Sequence, residues 1–208
     1  DLAQILNFPV LSSPNGMGCI DMTDDLSLGF IGRNGAYPAN QAGRYADLVI
    51  AIGARFDDRS ASSWIPGYSW NFPETKLIHV DVDHSELGRN YPPTLAILAD
   101  ARTFLRQVLA EVEHRGPARE GRSSVWLADI AEWRRAWHEF TAPNFEIHAS
   151  PLRPERGVAD CQEVLPDDTV ISLDSGVHHN WYMQFWKVRR LQTMLNTWGF
   201  SGMGFGAA

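Results

Sequence analysis

The chain has 208 residues, with 18 Lys and Arg against 25 Asp and Glu, a formal charge of −7 and 44% hydrophobic residues. That length holds one large domain or two small ones with a sizeable core, and the balance of apolar and charged residues is that of a globular chain. No Lys/Arg-rich run occurs and no apolar run approaches the roughly 20 residues of a membrane span, which argues against nucleic-acid and membrane partners. Two cysteines, Cys19 and Cys161, are too few and too far apart for a disulfide framework or a zinc cluster, so a reducing cytoplasm is the expected compartment.

Short β-rich apolar runs bounded by turn residues mark the strands. In chain order they are 9–13, 47–53, 76–83, 95–99, 169–174 and 193–196. The run 47–53 is almost wholly apolar, which predicts a strand covered on both faces. Helices are expected between the strands. Pro38 sits at a first-turn position for 38–45, and Ser85 is placed to cap a helix over 86–90. Over 101–114, Phe104, Leu105, Val108, Leu109 and Val112 share one face. Over 124–140, Trp126, Ile130, Trp133, Trp137 and Phe140 recur at helical spacing, and 154–165 is a further helix. Alternating strands and helices predict a parallel α/β architecture. The polar stretch 115–124 reads as a surface linker, which separates a first unit, 1–115, from a bridging segment, 116–149, and a second unit, 150–208. Asp1 in place of Met and the small-residue run at Ala207-Ala208 make an internal piece of a longer chain the expectation.

Five stretches carry candidate chemistry. The glycine-spaced run 29–40 enters a helix N-terminus, whose free N–H groups and dipole suit a phosphate or diphosphate; a plain loop with turn glycines is the alternative. It neither follows a clear strand nor has an acid about 20 residues on, so an ordinary NAD fingerprint is disfavoured. Gly53-Ala54-Arg55-Phe56-Asp57-Asp58-Arg59 follows the apolar strand, where open parallel sheets hold ligands. Its arginines can pair with phosphate or with the neighbouring aspartates. His79-Val80-Asp81-Val82-Asp83 ends the next strand, and a carboxylate there can accept from ribose hydroxyls. Asp83 and Asp100 serve equally as helix caps, whereas Asp81 precedes the capping position. The run 174–181 holds adjacent histidines, too few for a closed metal site and better suited to meeting phosphate oxygen. The last, 198–206, is dense in glycine, which demands close approach of its backbone to a ligand or another chain.

Taken in this order, these stretches resemble the thiamine-diphosphate-dependent enzymes, and within them the acetolactate synthase (acetohydroxyacid synthase) branch. Asn34-Gly35, Ala39-Asn40, 46–59 and 78–83 look like that branch's central domain, and the string Gly53 to Arg59 is highly specific. Asp174-Ser175-Gly176 with His178 and Trp181, then 202–206, look like the start of the diphosphate-binding domain.

The resemblance implies a Rossmann-like, FAD-binding central domain over 1–115 and the N-terminal part of a thiamine-diphosphate domain from 150. It implies that Asn34, Gly35, Asn40, Gly53 and Arg55 line FAD, and that Asp81, Val82 and Asp100 meet its ribose and adenine half. His178, Gly202 and Met203 would lie against thiamine diphosphate, with the Mg²⁺ ligands and the activating glutamate outside this chain. The activity implied is decarboxylation of a 2-keto acid and transfer of the acyl unit to a second carbonyl compound, by a homo-oligomer when whole and by an inactive piece here. The aromatic stretch 60–75, with Trp64, Tyr68, Trp70 and Phe72, points instead towards a neighbouring branch such as cyclohexane-1,2-dione hydrolase or sulfoacetaldehyde acetyltransferase. A nucleotide-binding module without catalysis is the alternative of a different class.

Overall fold

The computed structural model describes residues 2–116, 123–146, 150–189, 193–204 and 206. Its elements are α1 (Leu2–Leu6), β1 (Val10–Ser12), β2 (Ser27–Phe30), α2 (Tyr37–Tyr45), β3 (Leu48–Ile52), β4 (Lys76–Asp81) and β5 (Leu95–Leu98), then α3 (Ala101–Arg115), α4 (Ser123–Glu146), α5 (Pro154–Val164), β6 (Ile171–Leu173), α6 (His178–Phe185) and β7 (Met194–Asn196). The strands pair β1-β2, β3-β4-β5 and β6-β7, and every one of these pairings is parallel. The α/β class with parallel sheets is therefore the one the interleaved pattern predicts.

Several elements differ from expectation, among them α1, which precedes the first expected strand. Residues 86–90 make turns rather than a helix. Gly88 takes φ +76° there, and Pro92 and Pro93 follow, so neither backbone nor sequence can carry a helix onward. Strand β2 and helix α6 have no clear period of their own in sequence. Tertiary pairing makes the first, by placing Ser27 beside Val10. The polar linker lies largely outside the described residues.

The apolar run of β3 is covered on one face only among the described residues. Val49 and Ala51 stand beside Leu77 and His79 of β4 and point into the main core, whereas Leu48 and Ile50 stay exposed. Helix α3 forms as expected, but none of its residues is fully buried. The main core lies on the Val49 side, where Leu28, Ile31, Ala39, Ala42, Leu77 and Trp70 gather. Helix α4 lays Ile130, Trp126 and Trp133 onto this core, so part of its tryptophan stripe is packing. A second cluster joins Met17, Met22 and Phe30 to Val158, Met183, Trp186 and Val188, and so ties the early chain to the late one.

The loop after β3 is nailed down by one ring. Phe56 is 2% exposed and meets Trp70, Phe72, His79 and Tyr91 edge-on, with ring centroids 5.4 to 5.8 Å apart. Edge-to-face packing at this spacing adds to the area each ring buries. Trp70 and Phe72, from the aromatic stretch 60–75, are thus core residues, while Trp64 and Tyr68 are exposed. The backbone accepts strain to do this. Phe56 has φ +51°, and Ser62, Ser63 and Trp64 have φ +51° to +56°, a left-handed turn that L-residues resist. Several hydrogen bonds hold that turn. Trp64 Nε1 donates to the Phe56 carbonyl at 3.0 Å, Ser63 N to the Asp58 carbonyl at 2.7 Å, and the Ser62 and Ser69 hydroxyls lie 2.5 Å apart.

Two variants test this ordering of importance. Phe56→Ala should lower unfolding free energy by about 3–5 kcal/mol in a urea titration, the usual cost of emptying an aromatic core site. Phe140→Ala, at an exposed ring on α4, should stay within about 0.5 kcal/mol. Asp100 caps α3, with Oδ1 accepting from Thr103 N at 2.9 Å and Thr103 Oγ1 at 3.0 Å. Those two bonds hold its carboxyl below the ordinary value. The cap's contribution is therefore complete above the unfolded aspartate value of about 4 and is lost as pH falls through the depressed one. Asp100→Ala should remove that acid-sensitive component, read as amide exchange in the first turn of α3 at neutral and at acid pH.

Candidate functional site

The glycine run 29–40 becomes a tight loop pressed against the turn that follows β3. Arg33 N donates to the Arg59 carbonyl at 2.9 Å. A Cβ on Gly32 would come within 2.0 Å of that same carbonyl oxygen, and Gly32 has φ +128°. A Cβ on Gly35 would meet the Phe30 carbonyl oxygen at 2.6 Å. These two positions need glycine for space, which is the physical content of the spacing. Asn40 staples the loop. Its Oδ1 accepts from Gly32 N at 3.1 Å and Ser69 Oγ at 2.6 Å, while Nδ2 donates to the Gly32 carbonyl at 3.0 Å.

The charged string after β3 sorts its side chains without pairing them to one another. Asp57 Oδ1 accepts from the N–H groups of Arg59 and Ser60, both at 2.9 Å, and so shapes the turn. Asp58 pairs with Arg33 at 2.7 Å, an exposed contact of small energetic weight. Arg55 is exposed and lies 3.8 Å from Glu86 Oε1. Arg59 places its guanidinium carbon 4.4 Å from the centre of the Trp198 ring. His79 braces the string from below. Its Nδ1 accepts from Gly88 N at 3.3 Å, which leaves Nε2–H to donate to the Ala54 carbonyl at 2.9 Å.

Four of the expected residues stand at or just beyond the C-terminal ends of adjacent strands, where an open parallel sheet offers a ligand crevice. Gly53 closes β3 with φ +64° and open space around it. Asp81 ends β4 as a buried carboxylate whose Oδ1 accepts from Asp83 N at 2.9 Å. Val82 beyond it is 75% exposed. Asp100 follows β5 and serves as the α3 cap. Asp83, the other expected cap, instead bonds the Ser85 hydroxyl and N–H inside a turn, and these bonds hold its carboxyl below the ordinary value. Glu86 nearby is a residue that sequence reasoning misses. It is buried, and its Oε2 has no hydrogen-bond partner among the described residues. A glutamate in a polar turn carries no sequence signal of burial.

A second crevice forms where β6 and β7 end. Asp174 after β6 binds the glycine-rich run after β7, accepting from Gly204 N at 2.8 and 3.0 Å. Ser175 N also donates to it at 2.6 Å. Gly202 has open space around it, and Met203 is 87% exposed. His178 is exposed and stacks on His179, ring centres 5.3 Å apart. Phe205 lies outside the described residues.

Between the two crevices lies a cavity of about 410 Å³. It draws on four of the five stretches. Arg33, Asn34 and Arg59 form one wall, and Ser175, Gly176, Val177, His179 and Asn180, at the start of α6, form the other. Trp198 and Ser201 also border it. Asn34 Nδ2 donates to Asn180 Oδ1 at 3.0 Å, and Gln184 Nε2 donates to the Asn34 carbonyl at 2.8 Å, so the walls are bonded together. Two guanidinium groups and a helix start give the cavity positive character. His179 is 4% exposed with Nε2 lacking a partner. Burial pushes its pKa down, and His178 and Arg59 add to this, while a bond to the Leu173 backbone and Asp174 act the other way. Among the described residues no three His, Cys, Asp or Glu side chains gather as a metal-binding group.

Sequence comparison gives the family. The family model for the thiamine pyrophosphate enzyme central domain matches residues 1–108. A probable acetolactate synthase large subunit of Methanocaldococcus jannaschii is 32% identical over 99% of this chain and 34% of its own length. Acetolactate synthase 1, chloroplastic, of Nicotiana tabacum is 30% identical over 98% of this chain and 29% of its own length. The acetolactate synthase large subunit of Haemophilus influenzae is 28% identical, over 98% and 34%. The chain thus spans about a third of the length of these relatives. By the family match over its first half, and by the parallel α/β fold that carries the match, the chain belongs to the thiamine pyrophosphate enzymes through their central domain.

Proposed function

We propose that this chain supplies the flavin-holding central domain, 1–115, and the opening of the thiamine-diphosphate domain, 150–208, of an acetolactate synthase-like enzyme, joined by the bridging segment 116–149. The observation that supports the reading is the row of groups at the ends of β3 and β4. Gly53 leaves open backbone, Arg55 offers an exposed guanidinium, Asp81 a held carboxylate and Val82 an exposed apolar face. An extended dinucleotide needs those features in that order: close backbone and positive charge for the diphosphate, a carboxylate for ribose hydroxyls and an apolar surface for adenine. The orphaned Glu86 Oε2 beside Arg55 adds an unfilled acceptor.

In this reading Asn34 and Gly35 line the flavin end, with Asn40 acting through its staple on Gly32. Asp100 sits at the adenine rim with Oδ1 engaged in the cap. His178, Gly202 and Met203 would hold thiamine diphosphate at the ends of β6 and β7, and Mg²⁺ as its companion cation belongs to the same proposal. When bound, thiamine diphosphate would supply a carbon nucleophile and an electron sink for carbonyl chemistry. The chain's own residues bind and orient. Gly202 leaves room for a close approach, the exposed Met203 gives an apolar support, and Asp174 holds the glycine run in register with β6. The whole enzyme would decarboxylate a 2-keto acid and join the acyl unit to a second carbonyl compound, as a homo-oligomer in the cytoplasm.

Flavin binding is the direct test. The purified chain, titrated with FAD, should quench flavin fluorescence, and Arg55→Ala should weaken binding about tenfold or more, as expected for loss of a charge-assisted hydrogen bond. Binding of ADP without any preference for FAD would favour a nucleotide-binding module, and an unchanged FAD affinity in Arg55→Ala would remove Arg55 from the site.

A further inference from the structure

The chain contains two Asn-Gly sequences, Asn15-Gly16 and Asn34-Gly35, and its other asparagines precede bulkier residues. Asparagine is thermolabile, and most so before glycine, because the next backbone nitrogen then has no side chain to shield it. That nitrogen attacks the asparagine Cγ, the side-chain nitrogen leaves as ammonia, and a five-membered succinimide closes. Water opens the ring to aspartate or, more often, to isoaspartate, whose main chain runs through the former side chain. The balance is one water consumed and one ammonia released.

Every group this reaction needs at Asn34 is held. The leaving nitrogen, Nδ2, donates to Asn180 Oδ1 at 3.0 Å. The Asn34 carbonyl accepts from Gln184 Nε2 at 2.8 Å, and the attacking nitrogen, Gly35 N, donates to the Gly32 carbonyl at 2.9 Å. That carbonyl of Asn34 and that nitrogen belong to one peptide plane. The two bonds therefore pin the plane from both ends and keep the nitrogen from turning onto Cγ. Asn180 and Gln184 stand four residues apart on α6 and so share a helix face. Asn15, by contrast, is exposed, and its side chain donates to the Trp198 carbonyl at 2.9 Å.

We propose that Asn34-Gly35 is a deamidation site that α6 holds closed, and that its conversion unlocks the glycine loop from α6. Either product lacks Nδ2, so the donor to Asn180 is gone. Isoaspartate also adds a carbon to the main chain between residues 34 and 35. The loop has no room for it: even a Cβ on Gly35 would come within 2.6 Å of the Phe30 carbonyl oxygen and 2.8 Å of Gly32 N. The change is one-way, and the grip of α6 sets its rate. The inference needs no bound cofactor and stands apart from the flavin and thiamine-diphosphate assignments.

Timed peptide mapping by mass spectrometry, on the full chain at neutral pH, reads the rate at both sites. Asn34 should deamidate on the order of thirtyfold or more slowly in the folded chain than in guanidinium chloride, because opening must break at least two hydrogen bonds. Gln184→Met and Asn180→Leu should each raise the Asn34 rate about fivefold, one bond's worth, and leave Asn15 unchanged. Asn180→Asp keeps an acceptor facing Nδ2 and should restore the slow rate. The isoaspartate product, isolated by chromatography, should lose amide-exchange protection at Arg33 and Gly35. Equal rates in the folded and unfolded chain, no acceleration in either variant, or an isoaspartate product that keeps its protection would overturn the proposal. So would equal acceleration of Asn15 and Asn34, which would mean general loosening in place of a released grip. If Gln184→Met does not fold, the contrast between Asn180→Leu and Asn180→Asp decides the question, and if neither of those folds, the folded-against-unfolded rates decide it.

Discussion

The buried ring of Phe56 organises this chain. It stands in the middle of a string of charged residues directly after β3, and it is driven inward while Arg55, Asp57, Asp58 and Arg59 remain outward. The four aromatic and imidazole rings around it come from segments as distant as Tyr91. Burial of one large ring is worth more than the backbone strain it demands, a left-handed φ at Phe56 and a left-handed turn over Ser62–Trp64. With the ring seated, the arginines on either side have determined positions: Arg55 over the ends of β3 and β4, and Arg59 over Trp198. The first crevice and the Arg59 wall of the cavity thus adjoin one hydrophobic contact.

The second layer of organisation is a set of polar contacts that look functional in sequence but act first on the protein itself. Asn40 uses both ends of its amide on Gly32 and Ser69. Asp57 closes its own turn, Asp100 caps α3, and Asp174 gathers the glycine run behind β7. Each is bonded within the chain, the half-buried Asn40 and Asp174 as buried polar groups must be and the exposed Asp57 and Asp100 as local turn and cap. The exceptions stand out against that background. Glu86 Oε2 and His179 Nε2 are buried and unmatched, and both lie beside arginines at the candidate crevices.

Much of this is legible from residue order. The strands of the first half stand close to where their apolar runs begin and end, because a buried parallel strand has a strong compositional signature. The tryptophan helix follows its spacing. The same logic overreaches at β3, where an all-apolar run suggests cover on both faces and only the Val49 face has it among the described residues. A capping serine suggests a helix over 86–90, but Gly88 and the two prolines beyond it break the backbone first. Strand β2 and helix α6 have too little periodicity to declare themselves, since their form depends on partners far along the chain.

The sequence by itself determined the class of the protein: parallel α/β, with charged loops after β3 and β4 and a glycine-rich run at the end, in an order specific enough to match a family. These signals are local, a few adjacent residues whose types dictate strand, turn or close approach. Only the tertiary structure decided which of the charged residues face one another. Arg33 pairs with Asp58, Arg55 approaches Glu86, Arg59 covers Trp198, and Asn34 bonds Asn180 across 146 positions of chain. Such pairings depend on how packing brings distant segments together, and no local pattern encodes them. The cavity shared by the glycine loop and α6 exists for that reason in the folded chain alone.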